Sequence, residues 1–301
     1  MSQLTVAVAQ VAPAYLDLDA SLAIAERWIQ EAGRQGVRLL VFPETWLPGY
    51  PFWLDVSPEM GLWDHPPTKA VFRRLFENSV DVPGPVTERL GRAAQRAGLN
   101  LVMGINERDG GTLYNTILYF SEQGQLLGKH RKLIPTYTER LIWGRGDGST
   151  LTVVDTSAGR LGGLVCWEHW MPLARQSMHD QQELLHAALW PTVKEILLVA
   201  SRSYAFEGRC FVLAAGTVLS RKHLPQGLAL LDRLEGDGPW MQGGSAIIGP
   251  DGALIAGPVQ GSELLLTAQI DPGRAVEERM ALDVSGHYAR PDVFTLHVNR
   301  G

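Results

Sequence analysis

The apolar residues of this chain fall into short β-type runs, and the way those runs are connected changes along the sequence. Early on, strand-like and helix-like segments alternate. "LTVAVAQV" is rich in β-formers and alternates in polarity. After Asp17, apolar Leu22, Ala25, Ile29 and Ala32 recur at helical spacing, and Gly33 and Gly36 end the element. "VRLLVF" is then a buried strand running straight into "PET". "PVTERLGRAAQRAG" opens on Pro85, closes on Gly98 and puts Val86, Leu90, Ala93 and Ala97 on one face, which predicts a helix. Strands then follow one another: "LNLVMGINE", "TLYNTILYF" and "QLLGKHRKL", the last two joined by Glu122-Gln123-Gly124. Further strands fit "LTVVDT", "RLGGLVC", "HAALW", "FVLAAGTV", "GSAIIG" and "ELLLTAQI", and Gly249-Pro250-Asp251-Gly252 makes a hairpin turn before "ALIAG". Alternation followed by hairpin runs predicts an α/β fold of mixed sheets packed face to face, with helices outside.

No repeat, low-complexity tract or Gly/Ser linker divides the 301 residues, so a single domain over residues 1–301 is expected. The net charge of -5 gives no electrostatic footprint for nucleic acid. "MSQLTVAVAQVAP" lacks the basic start and apolar core of a signal peptide, and runs such as "EILLVA" are too short to span a bilayer. Two cysteines make no disulfide framework, so the expected compartment is a reducing cytoplasm without membrane association.

Three residues at strand ends, and a fourth a few residues beyond one of them, carry possible chemistry. Glu44, in "LLVFPETWLPGYP", follows an apolar strand directly, where partial desolvation raises a carboxyl's pKa toward that of a useful base. A lone Glu in such a place is more often a solvated loop residue or a cap. Lys132 closes a basic block; by strand alternation Lys129 and Arg131 share one face while His130 and Lys132 share the other. An inward Lys132 needs a carboxylate partner, although basic edge strands are the commoner use of such blocks. Glu139 offers a second carboxylate, or a salt bridge with Arg140 or Arg145. Cys166 ends "RLGGLVC" ahead of a helix expected near Pro172; free backbone N–H groups at such a junction favour thiolate and neighbouring anions. A packed structural thiol is the usual alternative, and Cys210 in "RCFVLAA" looks like one. Spacing allows a Cys166–Cys210 disulfide, which the expected compartment disfavours. Metal patterns are missing: there is no CxxC or HExxH, and His65, His130, His169, His179, His186 and His223 show no ligand spacing. "GRGDGS" lacks the flanking features of a phosphate loop and reads as a turn.

Together, "FPETWLPGYP", "GKHRKLIPTYTER" and "GGLVCWEHWMPLAR" resemble the Glu-Lys-Cys segments of the nitrilase (carbon–nitrogen hydrolase) superfamily. The resemblance extends through "LYNT", "WGRGDGS", "YAFEGRCFVLAAG", "GGSAIIGPDG" and "HYARPDVF", and Cys-Trp-Glu at 166–168 is similar to the true nitrilase branch. It implies a four-layer α-β-β-α sandwich. It also implies hydrolysis of a nitrile (aryl, arylalkyl or aliphatic) to acid and ammonia, with an amidase or a cyanide-hydrolysing relative as the alternative and a silent binding protein ranked last. In that chemistry Cys166 attacks to form a thioimidate, Lys132 stabilises the developing imidate nitrogen with help from the Trp167 N–H, and Glu44 activates the thiol and then water. Glu139 matches the family's second Glu, and no metal or organic cofactor is required.

Trp53, Tyr137, Trp167, His169, Trp190 and Pro191 are expected near the substrate, some of them only as core. "HAALWPT" is more similar to aryl-nitrile and arylacetonitrile enzymes than to plant-type ones. The resemblance further implies two-fold dimers through helices after Cys166 and around Tyr204–Arg209. Phe294 lies seven residues from the end of the sequence, which favours a dimer or small oligomer over long filaments.

Overall fold

The computed structural model describes residues 3–300. Along the chain come β1 (Leu4–Gln10), α1 (Leu18–Arg34), β2 (Leu39–Val41), α2 (Trp53–Val56), α3 (Pro66–Glu77), β3 (Val80–Asp81), α4 (Pro85–Ala97), β4 (Asn100–Asp109), β5 (Thr112–Phe120) and β6 (Leu126–Arg131). Then follow β7 (Val154–Thr156), β8 (Gly159–Val165), α5 (Pro172–His179), β9 (Leu185–Leu189), α6 (Glu195–Gly208), β10 (Phe211–Ala215), β11 (Val218–Leu219), α7 (Ala229–Asp232), β12 (Met241–Ile248), β13 (Leu254–Gln260), β14 (Leu264–Ile270) and α8 (Gly273–Arg279).

These strands form two seven-stranded mixed sheets. The first runs β14-β1-β2-β4-β5-β6 with β3 beside β4; the second runs β11-β12-β10-β9-β8-β7 with β13 beside β12. The sheets face each other across a core that includes Val6, Val8, Val41, Leu164 and Leu213. On the first sheet's other face, Ala7, Ala9 and Leu40 pack against Leu22, Ala25 and Ile29 of α1 and Leu90 and Ala94 of α4. Each Leu or Ile buried this way contributes about 1.5–3 kcal/mol. Asp17 starts α1 by accepting from the Ala20 N–H at 3.0 Å. With α5 and α6 packed on the second sheet's side, the layering is the expected α-β-β-α sandwich. No helix among the described residues is long and apolar enough to cross a membrane.

Strand direction places the site. β1, β2 and β4 are mutually parallel, and β6, two antiparallel steps from β4, points the same way. β8, β9 and β10 are parallel in the other sheet. The carboxyl ends of β2 and β9 meet, since the Glu44 N–H donates to the Trp190 carbonyl at 3.4 Å. Open α/β sheets bind ligands beyond such carboxyl ends.

Candidate active site

Glu44 follows β2 in a loop that lies flat against β4. A Cβ on Gly104 would meet the Pro43 carbonyl oxygen at 2.0 Å, so only glycine lets the loop approach this closely. Lys132 follows β6 and is tied on both sides: its N–H donates to the Asn115 carbonyl and its carbonyl accepts from Gly146, each at 2.8 Å. The alternation expected for β6 holds. Lys129 and Arg131 both reach Glu107 on one face, while His130 and Lys132 are buried on the other.

The Lys132 ammonium lies between two buried carboxylates, 3.1 Å from Glu44 Oε1 and 2.6 Å from Glu139 Oε2. Glu139 therefore pairs with Lys132 and not with Arg140 or Arg145. Hydrogen-bond accounting separates the two acids. Glu139 is fully engaged: Oε1 accepts from Tyr50 OH at 3.0 Å, and Oε2 accepts from the Thr136 N–H at 2.7 Å as well as from Lys132. Glu44 Oε1 accepts from Lys132 and from Asn115 Nδ2 at 2.6 Å, but Glu44 Oε2 is buried without a hydrogen-bond partner. That oxygen is the one free to take a proton.

Cys166 directly follows β8 and opens a 3₁₀ turn at φ +54°, a left-handed conformation unusual for a residue with a side chain. Its Sγ and one carboxylate oxygen each from Glu44 and Glu139 lie within 4.8 Å of one another. Such a donor set suits a cation, and the Lys132 ammonium already occupies that role between the acids. Thr45 (φ +41°) and Tyr137 (φ +46°) flank the same cluster, so three of the chain's left-handed non-glycine residues gather here. Strain of this kind costs on the order of 1–3 kcal/mol per residue and concentrates at functional sites. The sulfur faces the cluster, and Cys166 and Cys210 are both free thiols.

Burial is the largest influence on Glu44, Cys166 and Lys132. It raises Glu44 to about 7, with Glu139 adding to the shift and Lys132 opposing it. It also pushes the Cys166 thiol well up, helped by Glu44, while Lys132 and the Trp167 N–H pull the other way. Burial lowers the pKa of Lys132; the Cys166 sulfur, Glu44 and Glu139 outweigh it and hold the value above the ordinary one. The resting arrangement is a neutral thiol, a fixed ammonium and a carboxyl poised near neutrality.

A sequence profile described as carbon-nitrogen hydrolase matches residues 5–279. The chain belongs to the carbon–nitrogen hydrolase family. It is 42% identical to an aliphatic nitrilase of Sinorhizobium fredii, over 99% of this chain and 96% of that protein. It is also 42% identical to Nitrilase 1 of Arabidopsis thaliana, over 98% of this chain and 86% of the relative. A bifunctional nitrilase/nitrile hydratase of Nicotiana tabacum shares 40% over 97% and 84%. Relatives at this identity put the hydrolase on the nitrilase branch. A Helicobacter pylori carbon–nitrogen hydrolase of known structure superposes with a TM-score of 0.74 over 97% of both chains at 20% identity, and so shares the fold.

Of the side chains expected to line the hydrolase's cleft, Tyr137 and Trp167 are exposed and Pro191 is half-buried. Trp53 is buried edge-on against Tyr15, with its indole nitrogen unpartnered. Two expectations are corrected. His169 is fully committed behind the nucleophile, with Nδ1 on the Cys166 carbonyl at 2.8 Å and Nε2 on His186 at 3.0 Å, leaving no polar atom for substrate. Trp190 stacks on His169 and donates to Ser201 of α6 at 3.2 Å, which turns its ring away toward the helix layer.

Tyr50, Asn115 and Glu168 were not anticipated. Asn115 lies in the quoted "LYNT" and is opposite Lys132 across the β5–β6 pairing, so register was the signal that could have found it. Glu168 accepts from the Val165 N–H at 2.7 Å, the Leu133 N–H at 2.8 Å and His130 Nε2 at 3.0 Å, tying the Cys166 and Lys132 segments together. Burial works against its charge, but these donors hold its pKa below the ordinary value. Glu168→Ala strands three donors, two of them buried, and should cost about 3–5 kcal/mol, read as a lower urea midpoint.

Proposed function

We propose that this protein hydrolyses an organic nitrile to the carboxylic acid and ammonia through a covalent thioimidate on Cys166. The observation that carries the reading is the division of labour around Lys132: one carboxylate is saturated with donors, the other has a free oxygen, and a thiol lies beside both. A nitrile carbon is a weak electrophile, so attack needs thiolate made as the bond forms. Glu44 Oε2 takes the Cys166 proton, and Lys132 with the Trp167 N–H stabilises charge on the nitrogen. Glu44 returns that proton to the imidate nitrogen and is a carboxylate again. It then serves as base for a first water, whose two protons pass to the nitrogen as ammonia leaves. A second water cleaves the thioacyl bond to release the acid and the Cys166 thiol. Glu139 holds Lys132 in place throughout.

Relatives named nitrilases at 40–42% identity favour nitriles over amides. Bacterial and plant relatives reach the same 42%, so overall identity does not choose between aryl and aliphatic substrates. We assign Trp53, Tyr137, Trp167 and Pro191 to the substrate side of the cleft. We also read the chain as one catalytic domain, cytoplasmic in view of its two free thiols. It forms a homodimer or small oligomer through α5 and α6, where Leu173, Ile196, Val199 and Phe206 are exposed.

The test is a panel of phenylacetonitrile, benzonitrile, a short aliphatic nitrile, cyanide and the matching amides, with acid, amide and ammonia quantified. Nitriles should yield acid and ammonia. Rapid turnover of amides with none of nitriles sinks the proposal. On the best substrate, kcat/KM should fall on the acid side with a limb near pH 7, because Glu44, raised to about 7, must be unprotonated to accept the thiol proton.

A further inference from the structure

Behind Cys166, on the side away from the Lys132 cluster, three buried side chains form a continuous line. His169 Nδ1 meets the Cys166 carbonyl oxygen at 2.8 Å, His169 Nε2 meets His186 Nε2 at 3.0 Å, and His186 Nδ1 meets Glu183 Oε2 at 2.9 Å. The Tyr204 hydroxyl donates to the other Glu183 oxygen, and its ring stacks on His186 with centroids 3.8 Å apart. His169, His186 and Glu183 are each no more than 1% exposed. The nitrile reaction described above gives none of them a task.

Counting hydrogens fixes their protonation. The carbonyl at one end only accepts, so His169 Nδ1 carries a hydrogen. Glu183 at the other end is ionised: burial opposes its charge, but His186 and His179 hold its pKa down to about 2, so His186 Nδ1 carries a hydrogen too. The contact between the rings needs a third. Three hydrogens on two imidazoles is one more than two neutral rings hold, so the pair bears one positive charge. His169, pushed down to about 3 by burial and by His186, does not carry it. The charge belongs on His186, against Glu183.

The Cys166 carbonyl and the Trp167 N–H are the two ends of one peptide group, and that N–H draws the Cys166 thiol pKa down against the effect of burial. A donor on the carbonyl oxygen draws electrons through the amide and makes its N–H a stronger donor. Such cooperative strengthening is roughly 10–30% per bond. We propose that Glu183, His186 and His169 are positioning residues that form a buried charge chain. Through the Cys166–Trp167 peptide, this chain strengthens the N–H that receives negative charge on sulfur and on the imidate nitrogen. The same bond holds the Cys166 carbonyl in the left-handed turn that aims the thiol. The inference rests on Cys166 being the nucleophile.

Other titratable groups face the chain from the packed elements. His179 of α5 is 3.6 Å from Glu183 and 3.6 Å from Glu207 of α6, and Arg175 pairs with Glu207 at 2.7 Å while donating to the His169 carbonyl at 3.1 Å. Cys210 and Glu168 add their fields from either side. All remain in place in the variants below.

The wild-type enzyme can be tested without mutation, by ring-nitrogen NMR of ¹⁵N-histidine protein between pH 6 and 9. One histidine should be doubly protonated and hydrogen-bonded to a neutral ring with its hydrogen on Nδ1. A neutral His186 overturns the proposal. His186→Gln keeps a neutral donor toward His169 and removes the charge; His169→Asn keeps a donor to the carbonyl and severs the chain. Each should lower kcat roughly ten- to a hundredfold with KM unchanged, less than the 10²–10³ lost with a direct oxyanion donor. Each should also move the pH profile of Cys166 alkylation upward. Folded variants with wild-type kcat and an unmoved alkylation profile would falsify the chain. NMR and alkylation report on it whatever substrate the enzyme turns over, so their outcome is separate from that of the nitrile panel.

Discussion

Replacing Lys132 with methionine should abolish nitrile turnover and weaken the fold in a way that grows with pH. The activity loss follows from the position of the ammonium: Lys132 is the cation nearest the developing imidate charge, and acid–base groups in such roles contribute about 10²–10⁴ in rate. The stability loss follows from what remains. Glu44 and Glu139 would be left buried beside each other without their shared cation, and removing one partner of a buried ion pair costs about 3–5 kcal/mol. Lys132 lowers the pKa of Glu44, so without it that pKa rises beyond about 7. A carboxyl whose pKa is raised by folding binds its proton more tightly when folded. Its stabilisation is therefore complete below the unfolded value and is lost as pH rises through the folded one. The gap in urea midpoint between wild type and Lys132→Met should be small near pH 6 and widen toward pH 9. Adding Glu139→Gln removes one of the stranded charges and should recover stability while leaving the enzyme inactive. A gap that stays constant with pH would mean that Lys132 packs the site without neutralising it.

The residues around this ammonium were legible because each closes a strand. An apolar run ending on Glu44, a basic block with period two ending on Lys132, and a glycine-rich run ending on Cys166 all put a polar group at a sheet's rim. Period-two alternation correctly sorted Lys129 and Arg131 from His130 and Lys132 because a pleated strand allows no other arrangement. What the letters could not show was which rims meet. β14 follows β13 directly along the chain, yet it lies in the other sheet and pairs with β1, Leu4 opposite Ile270. Local turn chemistry says where a chain reverses; long-range pairing decides which sheet it joins.

Helix α6, indicated only by the family resemblance, shows no polarity pattern of its own for a different reason. Its inner face buries Leu197, Ala200, Tyr204 and Ala205, but Ile196, Val199 and Phe206 on the other side are apolar too. With both faces apolar there is no polarity period to read. "FVLAAGTV" divides into β10 and β11 because Gly216 packs against the Gly243 backbone, where a Cβ would meet a carbonyl oxygen at 2.2 Å. The histidines were read for metal-ligand spacing and rejected. His169 and His186 bind each other, and His186 binds Glu183, from a 3₁₀ turn, a strand and the loop before it, a relation that spacing along the chain does not encode.

Cys166→Ala should leave a folded protein with no nitrile hydrolysis, a loss on the order of 10⁴–10⁶ in kcat, as for removal of a catalytic nucleophile elsewhere. The two halves of this result have separate causes. Turnover disappears because no other group among the described residues within the 4.8 Å cluster is a nucleophile suited to nitrile carbon: Glu44 and Glu139 are weak carboxylates, and Lys132 is held protonated. Stability survives because the thiol is neutral at rest, alanine fits the same left-handed turn no worse than cysteine, and the Glu44–Lys132–Glu139 pairing does not depend on sulfur. The change in unfolding free energy should stay within about 1 kcal/mol. Alkylation distinguishes this from general damage. Cys210 is fully buried, and burial and Glu183 hold its pKa up. Native wild-type protein should therefore take up one equivalent of iodoacetamide and lose activity in proportion, whereas Cys166→Ala takes up none. Labelling of Cys210 ahead of Cys166, or residual nitrile hydrolysis in folded Cys166→Ala, would require a different nucleophile.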